Sequence, residues 1–290
     1  MKHIYKAIFI LAAFAGIFIF NNKSDSIKEI RISLENAYEL DSFFIANDYT
    51  IDSVLKDSII PQIFTENVFE SLKEINVTER KFLFIRVLLP SILKSNNDIL
   101  SERKFILSLK QKEQLSRKEK RKLKKIAKKY SGKIEDLDEL LQRVDIVPPS
   151  LAIAQAITES GWGTSRYAIE GNALFGHHVS KNDTSEFIKS QNSNVKMKAF
   201  KTINKAVDAY MHNINSTRAY RSLRKYRAGL RAKDKQIVGK DLATHLTKYS
   251  EKGVEYTVAL RNMIRQQKLA HFDFVKLKEE NTIIFVKVLE

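Results

Sequence analysis

The most informative stretch of this chain is VPPSLAIAQAITESGWGTSRYAIEGNALFGHH, which runs from Val147 to His178. Its two prolines suit the first turn of a helix, and Leu151, Ala154 and Ile157 then recur at the spacing of one packed helical face. The glycines on either side of the tryptophan do not favour continuation of that helix. The pattern therefore predicts a buried helix with Glu159 in its last turn.

Glu159 is a candidate proton donor because of this position. The negative end of the helix dipole opposes a negative side chain there, so the neutral carboxyl group is favoured. An apolar setting beside Trp162 acts in the same direction. A carboxyl group that stays protonated near neutral pH can donate a proton to a leaving oxygen. The alternative is a structural role, in which Glu159 pairs with one of the many arginines.

The composition predicts a mainly α protein. Among 290 residues there are only 9 Gly and 4 Pro, whereas helix formers are plentiful. The excess of 50 Lys and Arg over 34 Asp and Glu indicates a polyanionic partner such as nucleic acid, anionic lipid or an acidic wall polymer. Because the chain has no Cys, a disulfide framework, a zinc–thiolate site and a thiol nucleophile are excluded.

The first 24 residues predict export. Lys2 and Lys6 precede an apolar run from Ala7 to Phe20, which is typical of a signal peptide or a membrane anchor. An A-x-A pattern at residues 13–15 suits cleavage, whereas the apolar residues after it favour an uncleaved anchor. A buried helix of a cytoplasmic protein is the third interpretation. We expect a periplasmic protein, attached to the inner membrane where the anchor is kept.

Helical segments are predicted before the informative stretch. Residues 78–96 predict a buried helix kinked at Pro90, and residues 99–109 predict a second helix. Residues 117–129, RKEKRKLKKIAKK, hold nine basic residues and one acid. They predict either a solvated helical face or a contact with anionic lipid or wall carboxylates. Nucleic acid is not expected as a partner, because an exported protein would not meet DNA and no recognition motif accompanies the basic run.

The string AQAITESGWGTSRYA followed by GNALFG resembles the glucosaminidase domain of flagellar muramidases and wall autolysins, in particular that of the bacterial Bax-type proteins. The resemblance continues through KFLFIRVLLPSILKSNNDIL, Arg143-Val144-Asp145, AYMHNINSTRAYRSLR and YSEKGVEYTVALRNMIR, and it covers about residues 49–273. Soluble lytic transglycosylases share the Glu-Ser pair but typically continue into Gly-Leu-Met-Gln. This chain has Asn-Ala-Leu-Phe-Gly at residues 172–176, which favours the glucosaminidase branch.

This resemblance implies a lysozyme-like, mainly α domain with a small β-hairpin lobe and a groove for glycan chains. The implied reaction is cleavage of the β-1,4 bond after N-acetylglucosamine in peptidoglycan, without a cofactor, and Glu159 matches the family's general acid. The matching residues around it are Gly161, Trp162, Gly163, Gly171, Asn172, Phe175 and Gly176. The predicted organisation is a signal peptide or anchor at 1–24, a helical N-terminal region at 25–130, the glucosaminidase domain at 131–273 and a C-terminal extension at 274–290.

The second catalytic group is left open between two acids. Glycoside hydrolysis commonly uses two carboxyl groups, and the turn-rich sequence after Gly176 predicts a hairpin whose only acids are Asp183 and Glu186. Ser185-Glu186-Phe187 resembles a local family pattern, so Glu186 is preferred. Bax-type proteins usually differ in this loop. Inversion through water and help from the substrate's own N-acetyl group therefore stay open.

The predicted substrate contacts are aromatic residues and one amide. The match with the family places Asn172 and Phe175 beside the acid, and Trp162 is either a sugar platform or part of the core. Tyr249 and Tyr256 resemble a late family segment in which a tyrosine lines the groove, and Tyr249 is preferred because it precedes a helix that begins around residue 253. Tyr210 follows helical spacing and is predicted to lie in the core.

The sequence leaves three possible functions. The first is an endo-β-N-acetylglucosaminidase that acts on peptidoglycan. The second is a wall amidase of the N-acetylmuramoyl-L-alanine type, but such enzymes generally need zinc ligands. No metal site is expected, because the chain has no H-E-x-x-H motif and the adjacent His177 and His178 point in different directions on a regular element. The third is a non-catalytic module that binds the wall as a scaffold.

Overall fold

A computed structural model describes residues 18–21, 27–179, 184–190 and 195–289. The predicted signal or anchor at 1–24 lies outside them apart from a short strand at 18–21, and so do the A-x-A pattern at 13–15 and Asp183. Within the described ranges, no helix is both long enough and apolar enough to span a bilayer.

The described residues form eleven α-helices and eight β-strands. The helices are α1 Ala37–Ala46, α2 Ile51–Asp57, α3 Val77–Leu109, α4 Arg117–Lys129, α5 Leu137–Arg143, α6 Pro149–Ser160, α7 Arg166–Gly171, α8 Ile203–Ser216, α9 Arg221–Ala232, α10 Gly239–Ala243 and α11 Val254–Gln266. The strands are β1 Phe18–Asn21, β2 Lys28–Leu34, β3 Ile59–Ile60, β4 Ile63–Thr65, β5 Phe187–Lys189, β6 Lys196–Lys198, β7 Lys276–Leu277 and β8 Thr282–Val288. Short 3-10 turns lie at Glu70–Lys73, Arg218–Tyr220 and Leu269–Phe274. The mainly α class and the small β-hairpin lobe are confirmed.

The chain divides into two compact units, each built from separated segments. The first unit contains the described residues up to Leu93, Ala156–Ala206 and Phe274 onwards, and the second contains Lys94–Gln155 and Val207–Asp273. The sequence had predicted consecutive domains along the chain.

A sheet in the first unit was not predicted from the sequence. Its strand order is β1-β2-β8-β4, and β8 runs parallel to both β2 and β4. The N-terminal region is therefore not purely helical, and the predicted C-terminal extension supplies the strand between β2 and β4. Buried Ile30, Leu34 and Val286 show that one face of the sheet packs into a core.

Helix α3 continues through Pro90 because the Tyr49 side chain replaces the backbone hydrogen bond that proline cannot donate. Proline has no N–H, so the carbonyl of Arg86 loses its usual partner four residues later. The hydroxyl of buried Tyr49 donates to that carbonyl at 2.9 Å, and Arg86 Nη1 donates back to the Tyr49 carbonyl at 3.1 Å. The separate helix predicted at 99–109 is thus part of α3.

A buried carboxylate organises the second unit. Asp145 is 2% exposed and accepts hydrogen bonds from Arg231, at 2.8 Å from Nη2 and 3.1 Å from Nε. Arg103 lies 3.5 Å away, and fully buried Arg227 donates to the Asp145 carbonyl at 3.1 Å and to Asn215 Oδ1 at 2.8 Å. The resemblance had singled out Asp145 without a role, and these contacts give it a structural one.

Candidate active site

Helix α6 ends as the sequence predicts, with Glu159 in its last turn. Ala154 and Ile157 on its packed face are buried, whereas Glu159 is half-buried. The helix thus presents a carboxyl group that is partly accessible at the end of an otherwise buried element.

A left-handed turn follows Glu159. Gly161, Trp162 and Gly163 all have positive φ, at 60°, 62° and 77°. A bulky residue rarely adopts this conformation, so Trp162 is a backbone outlier of the kind found near functional sites. The turn is held by buried Ser160, whose hydroxyl accepts from Gly163 N at 2.9 Å and donates to the Ala156 carbonyl at 2.6 Å.

The Trp162 side chain lies against helix α3. Its ring meets that of Phe84 edge to face, with centroids 6.1 Å apart, and Lys81 Nζ lies 5.3 Å from its centroid. Gly163 fits so closely that an added Cβ would lie 2.9 Å from both Leu72 and Phe84. This packing fixes the Trp162 ring, which is half-buried and keeps an exposed part.

Gly176 lies directly against the carboxyl group of Glu159. Its φ is +65°, and a Cβ at this position would be 2.8 Å from Glu159 Oε2. The backbone can therefore approach Glu159 only because residue 176 has no side chain. Gly176, the second glycine of the string GNALFG, is thus required by the close approach of the backbone to Glu159, which the sequence alone did not predict.

Asn172 and Phe175 are both held by contacts within the protein. Asn172 ends α7 in the left-handed conformation, its Oδ1 accepts from Val68 N at 2.8 Å and its Nδ2 donates to the Phe200 carbonyl at 2.9 Å. Phe175 is 1% exposed. The Asn172 amide is thus hydrogen-bonded through both its oxygen and its nitrogen, and the Phe175 ring is enclosed, while contact of either residue with substrate stays a prediction.

The predicted hairpin lobe is formed by β5 and β6, which pair antiparallel. Residues 177–179 extend it: Lys198 N donates to the His177 carbonyl at 2.8 Å and Val179 N donates to the Lys196 carbonyl at 2.9 Å. The lobe thus starts at the residue after Gly176. Exposed Glu186 precedes β5, and its carbonyl accepts from Ala199 N at 2.9 Å.

His177 is a feature of this lobe that sequence reasoning considered only as a metal ligand. Its ring lies near those of Phe175 and Phe200, at 6.4 and 6.0 Å between centroids. Burial, then the charges of Lys198 and His178, lower the pKa of His177 to about 4. It is therefore neutral at pH 7. Within the described ranges, no three His, Asp or Glu side chains come together as ligands for a metal ion.

The two predicted tyrosines lie in the second unit. Tyr249 and Tyr256 stack with centroids 5.5 Å apart and planes 5° apart. Tyr256 is 4% exposed, and Gln155 Nε2 donates to its hydroxyl at 3.1 Å. Tyr210 is fully buried and donates to Gln155 Oε1 at 2.7 Å, which confirms its predicted core position. Tyr256 is thus a core residue of its unit, whereas Tyr249 is half-buried.

Residues 134–269 match the family model described as Glucosaminidase, mannosyl-glycoprotein endo-beta-N-acetylglucosaminidase. The chain is also 37% identical over 188 residues to Protein bax of Escherichia coli (strain K12). That match covers 62% of this chain and 66% of the relative, which is just under two thirds of its length.

Solved structures with similarity to the chain include three bacterial wall or glycoside hydrolases. A peptidoglycan hydrolase from Sphingomonas sp. A1 is 20% identical, with coverage of 51% of this chain and 88% of that chain and a TM-score of 0.34. A truncated glycoside hydrolase domain of FlgJ from Salmonella typhimurium is 18% identical, with coverage of 51% and 98% and a TM-score of 0.33. The catalytic domain of the autolysin Auto from Listeria monocytogenes is 19% identical, with coverage of 62% and 96% and a TM-score of 0.33.

Proposed function

We propose that this chain hydrolyses the glycan strands of peptidoglycan, because residues 134–269 match the model of the glucosaminidase family. The bond cleaved is the β-1,4 linkage after N-acetylglucosamine, which makes the protein an endo-β-N-acetylglucosaminidase. The observation that carries this proposal is the half-buried Glu159 at the end of α6, with Gly176 against its carboxyl group.

In the proposed mechanism Glu159 gives its proton to the oxygen of the leaving sugar. The end of a buried helix fixes the Glu159 backbone, and the close approach of Gly176 leaves its carboxyl group little room to move on that side. Such positioning lowers the barrier, because the acid does not have to be oriented in the transition state. Trp162, held by Phe84, supplies a fixed aromatic surface on which a pyranose ring can stack.

Glu186 is the proposed second carboxylate, acting on water as a base. Residues 177–179, β6 and β5 lie side by side, so two strand spacings, roughly 10 Å, separate the backbone next to Gly176 from the strand that follows Glu186. We propose a base that activates water, as in inverting enzymes, over the direct nucleophile of retaining enzymes, whose carboxyl group lies only about 5 Å from that of the acid. Tyr249 is the tyrosine proposed to contact the sugar.

Fragment analysis tests the bond. Mass spectrometry of soluble material released from purified sacculi is expected to show glycan fragments with N-acetylglucosamine at their new reducing ends. Fragments that end in N-acetylmuramic acid would contradict the proposed bond. Release of free peptides would identify an amidase, and binding to sacculi without any release would identify a scaffold.

Gly176→Ala tests the contact with the acid. The added methyl group would displace the Glu159 carboxyl group, so we expect reducing-end release to fall about 100-fold. Ala in the left-handed conformation costs only about 1–2 kcal/mol, so the protein should still fold. Gly229→Ala is the matched control, since a Cβ there meets nothing within 4 Å. A normal rate in Gly176→Ala would show that this contact does not position the acid.

We also propose that the protein is periplasmic and attached to the inner membrane. The basic flank and the apolar residues that precede β1 support an anchor, and α4 adds nine basic residues, of which Lys129 forms an ion pair with Glu102. Leu123 and Ile126 are buried beneath that basic face, and its nine basic residues are exposed. After cell fractionation, we expect release from membranes by detergent but not by salt. Recovery with cytoplasmic proteins would contradict this location.

A further inference from the structure

A cavity of about 560 Å³ lies at the N-terminal end of α9 in the second unit. Its walls come from the turn Arg218–Tyr220, the start of α9 and the segment 244–248 after α10. We call it the cationic cavity, because Arg218, Arg221 and Lys248 line it and no acidic side chain of the described residues does.

Within the residues that the structure describes, these three cations differ from Arg143 and Arg231 of the second unit in having no ion-pair partner. Elsewhere in the same unit, Arg143 pairs with Glu139 and Arg231 pairs with Asp145. No ion pair joins the three cations of the cavity to any carboxylate in the described part of the chain. Like charges around one concave surface repel each other, so a bound anion would lower the electrostatic free energy there.

The other groups in the wall also suit an anion that is recognised by hydrogen bonds. Ser222 and Thr247 offer hydroxyl groups, and Ser222 Oγ lies 3.0 Å from Nδ1 of His245. Burial lowers the pKa of His245, so at pH 7 this ring adds a hydrogen-bonding group without a fourth charge. The ring of Tyr226 packs against that of His245, with centroids 4.5 Å apart and planes tilted by 32°.

The size of the cavity favours an organic anion over a single small ion. Sites for small organic ligands typically measure about 300–1,000 Å³, and the cationic cavity falls within this range. Arginine guanidinium groups bind carboxylates through two parallel hydrogen bonds, and two arginines are present. A short peptide with more than one carboxylate therefore fits both the charge and the volume.

We propose that the cationic cavity binds the carboxylates of the acidic peptides that peptidoglycan carries on its glycan strands. This inference rests on the proposed function, since it identifies a second contact with the same polymer. The peptides recur along every strand, so a contact with one of them raises the local concentration of glycan at the enzyme.

The direct test is a titration of the full chain with the free acidic peptide released from sacculi by an amidase. We expect saturable binding that weakens at least tenfold in the triple variant Arg218→Gln, Arg221→Gln, Lys248→Gln. The control Lys233→Gln, Lys235→Gln, Lys240→Gln removes the same charge from exposed positions of the same unit and should bind as the wild type does. Thermal unfolding of both variants checks that they fold.

The same peptide with its carboxylates amidated should bind as weakly as the triple variant does. Equal binding of the amidated peptide, or equal binding by the triple variant, would overturn the proposal. So would a phosphate-rich polymer that binds the cavity while the peptide does not.

The release of reducing ends from sacculi provides a second, independent test. The triple variant should release fewer reducing ends than the wild type from intact sacculi, with a raised KM, and match it on strands stripped of peptide. Equal rates on intact sacculi would count against the proposal. If the wild type releases nothing from either substrate, the proposed function fails, and the peptide titration still decides whether the cavity binds carboxylates.

Discussion

Glu159→Gln is expected to reduce the release of reducing ends from purified sacculi by about 10²–10⁴-fold, the usual contribution of a general acid. Glutamine keeps the length and shape of the side chain, so it fits beside Gly176 as glutamate does. It cannot give a proton to the leaving sugar oxygen. The thermal unfolding midpoint should therefore stay close to that of the wild type while the rate collapses.

Glu170→Gln is a suitable control for this variant. Glu170 is an exposed glutamate in α7 of the same unit, paired at the surface with Arg166. Its replacement makes the same change of side chain without touching the proposed site, so the rate should be retained. If Glu159→Gln keeps a normal rate, Glu159 is not the acid.

The rate of reducing-end release also tests whether Glu186 is the base. Glu186→Gln should lower the rate, but by less than Glu159→Gln if the substrate's N-acetyl group also assists. A rate equal to that of the wild type would remove Glu186 from the mechanism and favour assistance by the substrate alone.

Asp145→Asn is expected to lower the free energy of unfolding by about 3–5 kcal/mol, the usual cost of leaving a buried charge without its partner. The variant leaves buried Arg227, half-buried Arg103 and exposed Arg231 without a neutralising carboxylate. Urea unfolding at pH 7 measures the effect. Asp138→Asn breaks an exposed pair with Lys110 and should cost under about 1 kcal/mol.

The contribution of Asp145 should also depend on pH. Burial alone would raise the pKa of this carboxyl group, but the hydrogen bond from Arg231 and the charges of Arg227 and Arg103 outweigh it and hold the pKa below its ordinary value. The stabilisation is therefore complete above the pKa of an unfolded aspartate, about 3.9, and is lost as the pH falls through the lower folded value. The difference between wild type and Asp145→Asn should shrink in that acidic window. A difference that grew on acidification would contradict the assignment.

Local signals were sufficient for the helix that carries the acid and for the hairpin beside it. The paired prolines, the apolar spacing and the glycines after Glu159 act within a few residues, and α6 begins and ends where they indicate. The start of α11 after Gly253 was likewise predicted from a local signal, the glycine itself. Such features depend on backbone preferences that neighbouring residues largely determine.

Features set by distant contacts could not be predicted in the same way. The conformation of Trp162 depends on packing against Phe84, which comes from a helix far earlier in the chain. The parallel pairing of Ile30 with Ile284 has no local signal either. Asn172 is a different case, because an asparagine just after a helix often adopts the left-handed conformation. That signal was present and was interpreted as a substrate contact.

Strand β8 has a consequence for when the first unit can fold. It lies between β2 and β4, yet the ribosome makes it long after both of them. In the described chain β4 has no other strand partner, so its edge stays open until residues 282–288 have been synthesised. Contacts so distant in sequence form slowly, because a long loop must close first. The nascent chain is thus kept from completing its first unit during translation, so this unit would still be incomplete during the export that we propose.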